Sequence, residues 1–409
     1  MVVVAFVAPY LLETTARFVT AAAKVPGVEL ALVTSEPEHR VPADLRGALA
    51  GHWRIDDPLD PGQIAGAVRG LRGRVGPVQR LLAVLEQLQV PVAQVREQLG
   101  ITGMDAATAH NFRDKAAMKS VLRAAGVPCA RHRLADSAAA AVGFAEEVGF
   151  PVVVKPPAGA GAKSTFRLDH ADDLQGWLDA APPTPDRLAL LEEFLSGQEG
   201  SYDSVTVDGK VVWHSISSYV PTPLEVLRNP WIQWIVLLPR DIDGPEYAGI
   251  RATGPAALRA LGLHTGLTHL EWFRRPDGTV AVSEVAVRPP GAQITSMLCY
   301  AHDMDLYAAW ARLMVFGDFE PPERKWAVGT AYLRGQGTGR VREVQAVDGL
   351  WDSVRSAVVE SRLPERGQVT SGSYEGDGYV IVRHPETAVV TDALRRLVTG
   401  VRIELVGPG

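Results

Sequence analysis

Residues 270–285 read LEWFRRPDGTVAVSEV, with a strand-like run on each side of Asp277-Gly278. An Asp-Gly pair in this setting is a strong signal for a hairpin with a two-residue turn. With those two residues as the turn, counting outward along both strands places Glu271 directly opposite Glu284. The sequence therefore predicts a sheet in which two carboxylates face each other across neighbouring strands.

Two carboxylates in such a position require a physical reason. The Cβ atoms of a directly opposed pair lie only ~5 Å apart, and like charges there destabilise the sheet. Glu271 and Glu284 must therefore share a proton or hold a cation between them. A site made of oxygen ligands alone favours Mg²⁺, which normally arrives with the phosphates of a nucleotide. In the same register Trp272 faces Ser283. If the register is instead shifted by one residue, or if this face of the sheet is exposed to solvent, the two glutamates require no special explanation.

The first part of the chain alternates strand-like and helix-like patterns. Continuous apolar runs at 2–7 and 28–35 are typical of buried parallel strands, and RLLAVLE (80–86) predicts a third strand. Helical patterns lie between and after these runs, so residues 1–104 are predicted to form a Rossmann-like parallel α/β domain. No GxGxxG follows the first strand, and a dinucleotide-binding enzyme is therefore not indicated.

The rest of the chain mixes strands and helices. Residues 105–126 predict a helix-rich connector, and Asp208-Gly209 predicts the turn of a second hairpin. The segment 221–244 is rich in proline and tryptophan and is expected to form an irregular lid. Short strands and helices alternate in 321–409, which predicts a separate strand-rich α+β domain. The expected fold class is thus α/β and α+β, with several domains.

Composition and charge exclude several classes of protein. A chain of 409 residues that is 46% hydrophobic and 22% charged is expected to form a globular protein of several domains. Its net charge of −6 argues against nucleic-acid and membrane-surface partners, since both favour basic patches. The first residues lack the basic region of a signal peptide, and Glu13 and Arg17 follow early, so a cytoplasmic location is expected. Cys129 and Cys299 fit no metal or disulfide spacing.

Lys155 ends a buried strand-like run directly before a loop of small residues. At that place an ammonium group is able to reach a phosphate while backbone N–H groups approach closely. An ordinary lysine at a strand end is the alternative interpretation. Lys115 lies in a polar helical pattern and carries no signal of its own.

Five stretches, taken in order, resemble the ATP-grasp superfamily, namely RDKAAMKSVLRAAGVP, FPVVVKPPAGAGAKST, LLEEFLSGQEGSYDS, THLEWF and VSEVAVRPPGAQI. Within it, RPPGAQ and the strand-rich C-terminal part are most similar to L-amino-acid ligases and carnosine-synthase-type enzymes. The resemblance implies a two-lobed ATP-grasp module, with connector helices and a small lobe carrying a phosphate loop in 105–188 and a large lobe with a metal site in 189–320. Residues 1–104 and 321–409 would then be the preceding domain and the closing domain.

The resemblance also assigns a role to each matching position. The implied nucleotide-binding residues are two lysines, the phosphate loop, the adenine linker and a ribose-binding glutamate, namely Lys115, Lys155, Ala158, Gly159, Gly161, Ser164, Thr165, Glu192, Glu193, Phe194, Leu195 and Glu199. Glu271 and Glu284 match the metal ligands, and Lys155 and Arg288 match the catalytic residues that steady the transferred phosphate. The implied cofactors are ATP and Mg²⁺, with Mn²⁺ as the alternative ion.

The implied reaction joins a small-molecule carboxylate, of an amino acid or a similar small acid, to an amine. Transfer of the γ-phosphoryl group of ATP makes an acyl phosphate, which the amine attacks, so the products include ADP and phosphate. Such catalysis relies on positioning and on electrostatic stabilisation of the phosphates. Homodimers are common among proteins of this kind, and neither a nucleic acid nor a membrane is an expected partner.

Ala286 departs from the superfamily, which usually has an asparagine there as a further metal ligand. Loss of that oxygen is expected to weaken one of two Mg²⁺ positions. The departure keeps open a nucleotide-binding regulatory or scaffold protein without turnover. A biotin-carboxylase-like enzyme is a second alternative, although Pro289-Pro290-Gly291 stands where that family has a His-Pro-Val-Thr-Glu run.

The expected acceptor side carries three histidines and two tryptophans. His214, His264 and His269 are candidates for deprotonating an amine, but a lone histidine is more often structural, and none is assigned a catalytic role. Trp231 and Trp234 either line a substrate pocket or pack the lid.

Overall fold

The computed structural model describes residues 1–159, 164–229, 231–371, 373 and 375–407. In those residues no helix has both the length and the apolar character that crossing a membrane requires. The α-helices are, in chain order, α1 (Glu13–Lys24), α2 (Ala43–Ala48), α3 (Pro61–Val75), α4 (Gln89–Leu99), α5 (Ala106–Arg113), α6 (Lys115–Ala124), α7 (Ala138–Val148), α8 (Ala171–Ala180), α9 (Pro223–Arg228), α10 (Ala248–Leu261), α11 (Ile294–His302), α12 (Leu306–Phe316), α13 (Leu350–Val354) and α14 (Thr387–Gly400). The β-strands are β1 (Val2–Val7), β2 (Val28–Thr34), β3 (Gly51–Arg54), β4 (Arg80–Leu82), β5 (His132–Ala135), β6 (Val152–Lys155), β7 (Phe166–Leu168), β8 (Ala189–Glu193), β9 (Gln198–Val207), β10 (Lys210–Val220), β11 (Trp234–Leu238), β12 (Gly266–Arg274), β13 (Val280–Ala286), β14 (Ala327–Leu333), β15 (Arg340–Ala346), β16 (Val358–Arg362), β17 (Gly378–His384) and β18 (Val401–Val406).

The N-terminal part forms the predicted parallel sheet, with the strand order β3-β2-β1-β4. Phe6 of β1 packs in one core with Phe18 of α1, and Ala5 packs in another core with Ile64 of α3. Helices on both faces explain why β1 reads as a continuous apolar run. β4 ends at Leu82, earlier than predicted, and the half-buried edge strand β3 has no counterpart in the sequence prediction.

Two capped helices connect this sheet to the next one. The side chains of Asp105 and Asp114 accept hydrogen bonds from the backbone N–H groups of Thr108 and Ala117, and these caps start α5 and α6. A four-stranded antiparallel sheet follows in the order β5-β8-β6-β7, and it shares one apolar core with α7 and α8. The predicted helix-rich connector is therefore confirmed.

An eight-stranded antiparallel sheet forms the largest layer, in the order β13-β12-β9-β10-β11-β14-β17-β16. The hairpin of β9 and β10 has the predicted two-residue turn, because Val207 pairs with Lys210. Asp208 and Gly209 have φ values of 48° and 75°, as a type I′ turn requires at both positions.

The prediction of an irregular segment at 221–244 was wrong, because this segment contains α9 and β11. β11 pairs with β10 on one side and with β14 on the other. Trp234 is 2% exposed and stacks on Tyr332 of β14, with ring centroids 4.6 Å apart. A short buried strand between prolines has too little periodicity to be recognised from its sequence.

The C-terminal part extends the eight-stranded sheet and also has a core of its own. β14, β17 and β16 continue the sheet beyond β11, and α14 packs on them through Leu394 and Leu397. β15 and β18 form a separate two-stranded sheet. The predicted closing domain thus shares its main sheet with the preceding part of the chain. The domain boundaries after residues 104, 188 and 320 remain a prediction.

Candidate active site

The hairpin of β12 and β13 has a longer turn than predicted. The backbone N–H of Arg275 donates to the carbonyl of Thr279 at 2.8 Å, which leaves three residues in the loop instead of two. Gly278 adopts a φ of 84°, which glycine accepts without steric cost. As a result Trp272 faces Val282, and the predicted pairing of Trp272 with Ser283 was wrong.

A second irregularity restores the predicted pairing of the glutamates. The register shifts between Glu271 and Trp272, which leaves Ser283 as the extra residue of a bulge. Glu271 therefore pairs with Glu284 after all. The carbonyl of Ser283 accepts a hydrogen bond from Nζ of Lys119 at 2.7 Å, so a buried lysine holds the bulge in place.

Glu271 and Glu284 line a cavity of about 760 Å³ between the four-stranded antiparallel sheet and the eight-stranded sheet. Most of the predicted site residues line the same cavity, namely Lys115, Lys155, Gly159, Thr165, Glu192, Glu193, Phe194, Leu195, Glu199 and Arg288. Ala158 and Ser164, on either side of 160–163, are not among the described residues of the lining. Gly161 lies outside the described residues. The binding roles assigned to all of these residues stay predictions.

Glu192 is paired with two lysines. Its Oε1 lies 3.0 Å from Nζ of Lys155 and 3.4 Å from Nζ of Lys119, whose side chain is fully buried. Burial works against the charge of Glu192, but Lys119 and Lys155 outweigh it and lower the pKa of the carboxyl group. No sequence pattern marked Lys119, which lies four residues after Lys115 in α6. The Glu192 side chain thus forms ion pairs with Lys119 and Lys155, and its place in an adenine linker stays a prediction.

Lys115 bridges a carboxylate and the start of the phosphate loop. Its Nζ lies 2.7 Å from Oε1 of Glu284 and donates to the carbonyl of Gly159 at 3.0 Å. Burial raises the pKa of Glu284, yet Lys115 and Lys155 lower it further than burial raises it. Glu284 is therefore ionised at neutral pH.

Arg288 is paired with a residue that sequence reasoning missed. Its Nε and Nη2 donate to Oε2 of Glu86 at 3.1 and 3.0 Å. Glu86 lies in a short 3₁₀ turn after β4 and is 6% exposed. No motif marked Glu86, because its partners Arg113 and Arg288 lie 27 and 202 positions away in the chain.

A second group of titratable side chains lies on the sheet beside Glu271. Nδ1 of His269 is 2.6 Å from Oδ1 of Asp203, and Nε2 is 3.6 Å from Oε1 of Glu271. Burial disfavours the imidazolium, but Asp203 and Glu271 raise the pKa of His269 to about 9. Burial and the nearby Glu271 raise the pKa of Glu199 well above its usual value. The cavity lining thus places His269, whose pKa is raised, beside Glu271 and Glu199, and the pKa of Glu199 is raised as well.

Comparison with known proteins agrees with this geometry. The family model described as "Carbamoyl-phosphate synthase L chain, ATP binding domain" matches residues 114–198. The chain is 28% identical over 251 residues to the L-arginine-specific L-amino acid ligase of Bacillus subtilis, in an alignment that covers 60% of each protein and thus less than two thirds of that relative. Its fold matches the crystal structure of an L-amino acid ligase from Bacillus licheniformis with a TM-score of 0.78 and 17% identity, over 100% of this chain and 99% of that chain. Residues 114–198 therefore match an ATP-grasp domain, and the chain is similar to L-amino acid ligases in sequence and in fold.

Another solved structure with a similar fold is the biotin carboxylase domain of the 2-oxoglutarate carboxylase from Hydrogenobacter thermophilus. It matches with a TM-score of 0.67 and 18% identity, over 99% of this chain and 90% of that chain, and it was determined with MgADP. At this identity the likeness concerns the fold alone. The His-Pro-Val-Thr-Glu run of the biotin carboxylase family is absent after Arg288.

Two carboxylates of the cavity fit a divalent ion. Glu271 and Glu284 pair across β12 and β13, and their side chains are 32% and 22% exposed, so both reach the cavity. In the part of the chain that the structure describes, no group of three or more acidic, histidine or cysteine side chains is arranged to hold a metal. Two oxygen donors suit Mg²⁺, which keeps waters and takes further ligands from phosphates.

α9 and its neighbours form the side of the cavity on which the acceptor substrate was expected. Trp234 lines the cavity, whereas Trp231 is 55% exposed and is not among the described residues of the lining. Of the three histidines considered, His269 lines the cavity. His214 stacks on Tyr202 within the sheet, which is a structural role.

Proposed function

We propose that this protein is an ATP- and Mg²⁺-dependent ligase that joins a small-molecule carboxylate to an amine. The proposal is carried by one cavity that holds the cations of Lys115, Lys155 and Arg288 beside the carboxylates of Glu271 and Glu284. Three cations suit the phosphates of a nucleotide, and two carboxylates suit a divalent ion. The similarity to the L-arginine-specific L-amino acid ligase supports the same class of reaction.

The first proposed step makes an acyl phosphate. An oxygen of the substrate carboxylate attacks the γ-phosphorus of ATP, the bond from that phosphorus to the β–γ bridging oxygen breaks, and ADP leaves with the bonding electrons. Arg288 and Lys155 neutralise the charge that develops on the transferred group and on the leaving phosphate. Burial opposes the charge of Lys155, but Glu192 and Glu284 raise its pKa, so it carries that charge at neutral pH.

The second proposed step forms the amide. The nitrogen of a neutral amine attacks the acyl carbon, and a tetrahedral intermediate forms. The bond from that carbon to the phosphate oxygen then breaks, and the nitrogen loses one proton to the departing phosphate. Arg288 continues to neutralise the phosphate as it leaves.

Glu271 and Glu284 are the residues that would hold Mg²⁺, or Mn²⁺ in its place. When bound, the ion supplies further neutralisation of the phosphate charge. Ala286 offers no oxygen at the end of β13, so the chain provides two acidic ligands there and leaves the other positions to phosphate and water.

A nucleotide-binding regulatory or scaffold protein without turnover is the second candidate, and Ala286 is the observation that favours it. Ala286 lines the cavity where the superfamily usually has a metal ligand. Retention of the three cavity cations and both glutamates favours the ligase. ATP binding without ADP formation, across a broad set of acids and amines, would favour the second candidate.

Phosphate release from ATP in the presence of Mg²⁺ tests the ligase proposal. The assay covers a matrix of amino acids, small carboxylic acids and amines, with ADP and AMP separated by chromatography. Phosphate and ADP that appear only with particular pairs establish the ligase and identify its substrates. Lys155→Ala and Glu284→Ala are expected to abolish ADP formation in a folded protein, whereas Lys210→Ala, on an exposed hairpin turn, is the matched control. Retained activity in either site variant would count against the assignment.

We also propose a homodimer that acts on small molecules in the cytoplasm, where ATP and Mg²⁺ are supplied. The substrate class is an amino acid or a similar small acid, together with an amine. Size-exclusion chromatography with light scattering measures the assembly state. The mass of a single chain at all concentrations would contradict the dimer.

A further inference from the structure

Glu86 brings a carboxylate from the N-terminal part of the chain into the cavity. Its Oε2 accepts from Nε and Nη2 of Arg288 at 3.1 and 3.0 Å, and its Oε1 accepts from Nη1 of Arg113 at 3.0 Å. The carboxylate is 6% exposed, so these contacts lie away from bulk water. The buried carboxylate of Glu86 thus forms ion pairs with the guanidinium groups of Arg113 and Arg288, which belong to two other parts of the chain.

These contacts fix the orientation of Arg288. Two nitrogens of its guanidinium group bond to the same oxygen of Glu86, which constrains the direction of the planar group. One carboxylate between two guanidinium groups also leaves a net positive charge beside the cavity. Without Glu86, Arg113 and Arg288 would repel each other and Arg288 would lose a fixed partner.

Arg113 connects this arrangement to the start of the phosphate loop. The Nη1 that donates to Glu86 also donates to the carbonyl of Gly159 at 2.9 Å. Lys115 donates to the same carbonyl at 3.0 Å. The backbone at the start of the loop and the arginine on the eight-stranded sheet are therefore linked through Arg113 and Glu86.

We propose that Glu86 is a positioning residue for Arg288 in the phosphoryl transfer, and that Arg113 couples this placement to the start of the phosphate loop. The inference rests on the proposed function, because it takes Arg288 as the residue that meets the transferred phosphate. Both oxygens of Glu86 already accept from arginines, so Glu86 acts through Arg288. Its loss is therefore expected to slow acyl-phosphate formation and to spare nucleotide affinity.

Glu86→Gln tests the role of Glu86, because it keeps the size of the side chain and removes its charge. The measurements are ADP formation with the acid–amine pair used by the wild type, trapping of the acyl phosphate as a hydroxamate by hydroxylamine, and the affinity for ADP with Mg²⁺. The expected result is a fall in kcat of about tenfold to hundredfold, with the ADP affinity changed by less than about twofold. Glu86→Asp, which keeps the charge on a shorter side chain, is expected to restore part of the rate.

A surface variant controls for the chemical change itself. Glu147 pairs with Arg133 at 2.7 Å, and both side chains are exposed, at 52% and 41%. Glu147→Gln removes the same charge from a carboxylate–guanidinium pair far from the cavity lining. It is expected to leave both kcat and ADP affinity at their wild-type values.

Arg113→Lys and the double variant with Glu86→Gln test the link to the loop. Lysine keeps the charge but lacks the fork that reaches Glu86 and Gly159 together. If Glu86 and Arg113 act as one unit, the kcat of the double variant is no lower than the kcat of Glu86→Gln alone. A double variant in which the two losses of kcat multiply would contradict the coupling.

The position of Arg288 in a crystal structure of the Glu86→Gln variant is a readout that does not depend on turnover. Arg288 displaced from the cavity wall is the expected result, and an unmoved Arg288 overturns the inference. A kcat within about twofold of the wild type in the folded variant also overturns it, as does an ADP affinity that weakens in step with kcat.

If Glu86→Gln fails to fold, the same comparisons are made with Glu86→Asp and Arg113→Lys. A wild-type protein that forms no ADP with any acid–amine pair contradicts the proposed function instead, and the crystal structure still tests Glu86.

Discussion

Lys115 is bonded to Glu284 at 2.7 Å, so a lysine expected to meet phosphates is paired with a carboxylate expected to hold the metal ion. The opposite charges of Lys115 and Glu284 neutralise each other. Under the proposed function, Lys115 exchanges this carboxylate for a phosphate, and Glu284 exchanges the lysine for the ion. This pairing makes nucleotide affinity depend on the metal in a way that mutation can reveal.

Glu284→Gln is expected to release Lys115 without supplying a metal ligand. ADP binding in EDTA should tighten by roughly twofold to fivefold, the value of a partly exposed ion pair. ADP formation with Mg²⁺ should be lost. Isothermal titration calorimetry with ADP, in EDTA and in Mg²⁺, measures the change. Glu404→Gln, in a surface pair with Arg342, is the control, and weaker ADP binding of Glu284→Gln in EDTA would contradict the exchange.

Ala286→Asn is expected to increase the number of divalent ions that bind with the nucleotide. Ala286 lies opposite His269 and is 4% exposed on the cavity lining, where an asparagine would add an oxygen donor near Glu284. Electron paramagnetic resonance of Mn²⁺ in the presence of ADP counts the bound ions. Ala286→Val, which adds bulk without an oxygen, controls for crowding. An unchanged count in the asparagine variant would show that Ala286 does not limit metal binding.

Lys119→Met is expected to destabilise the fold by about 3 kcal/mol, because it removes a fully buried cation from Glu192 and a donor from the carbonyl of Ser283. Urea unfolding at neutral pH measures the free energy. Lys325→Met, which removes an exposed partner of Asp303, should lower the free energy of unfolding by less than about 1 kcal/mol. Equal losses in the two variants would show that burial of Lys119 does not matter.

His302 is expected to make the protein sensitive to acid. Burial and the nearby Arg324 lower the pKa of His302 to about 4, below the value of about 6.5 in an unfolded chain. Between these values the unfolded chain binds more protons, so stability is fully present above pH ~6.5 and falls as the pH drops towards ~4, by up to about 3 kcal/mol.

His302→Phe removes this titration and keeps an aromatic ring against Trp213. In the wild type the ring centroids of His302 and Trp213 lie 5.3 Å apart in an edge-on arrangement. Urea unfolding of both proteins between neutral pH and about pH 4.5 should show the wild type losing more stability than the variant. Parallel losses in the two proteins would mean that His302 contributes nothing to the acid sensitivity.

The pairing of Glu271 with Glu284 was predictable, although the path to it was not. The three-residue turn moves the register by one residue, and the bulge at Ser283 moves it back. The bulge has no sequence signature, since the contact that holds it joins Lys119 to Ser283, 164 residues away. The two irregularities shift the register in opposite directions, so Glu271 and Glu284 pair as predicted.

Residues that act through long-range contacts were beyond the reach of the sequence. Lys155 could be recognised because a strand and a loop of small residues flank it. Glu86 and Lys119 have no such local setting, and only the fold brings them to Arg288 and Glu192. Local patterns therefore identified several strands and the positions of Lys155, Glu271 and Glu284, whereas Lys115 and Arg288 were assigned by the resemblance and the partners of all these charges required the structure.

The pairing of β11 with β14 also determines how the chain tolerates shortening. A protein cut before Ala327 would lose β14, and the backbone donors and acceptors along one side of β11 would be left without partners. Trp234 would lose the ring of Tyr332 at the same time. An apolar strand edge of this kind recruits strands from other molecules, so truncated chains are expected to aggregate.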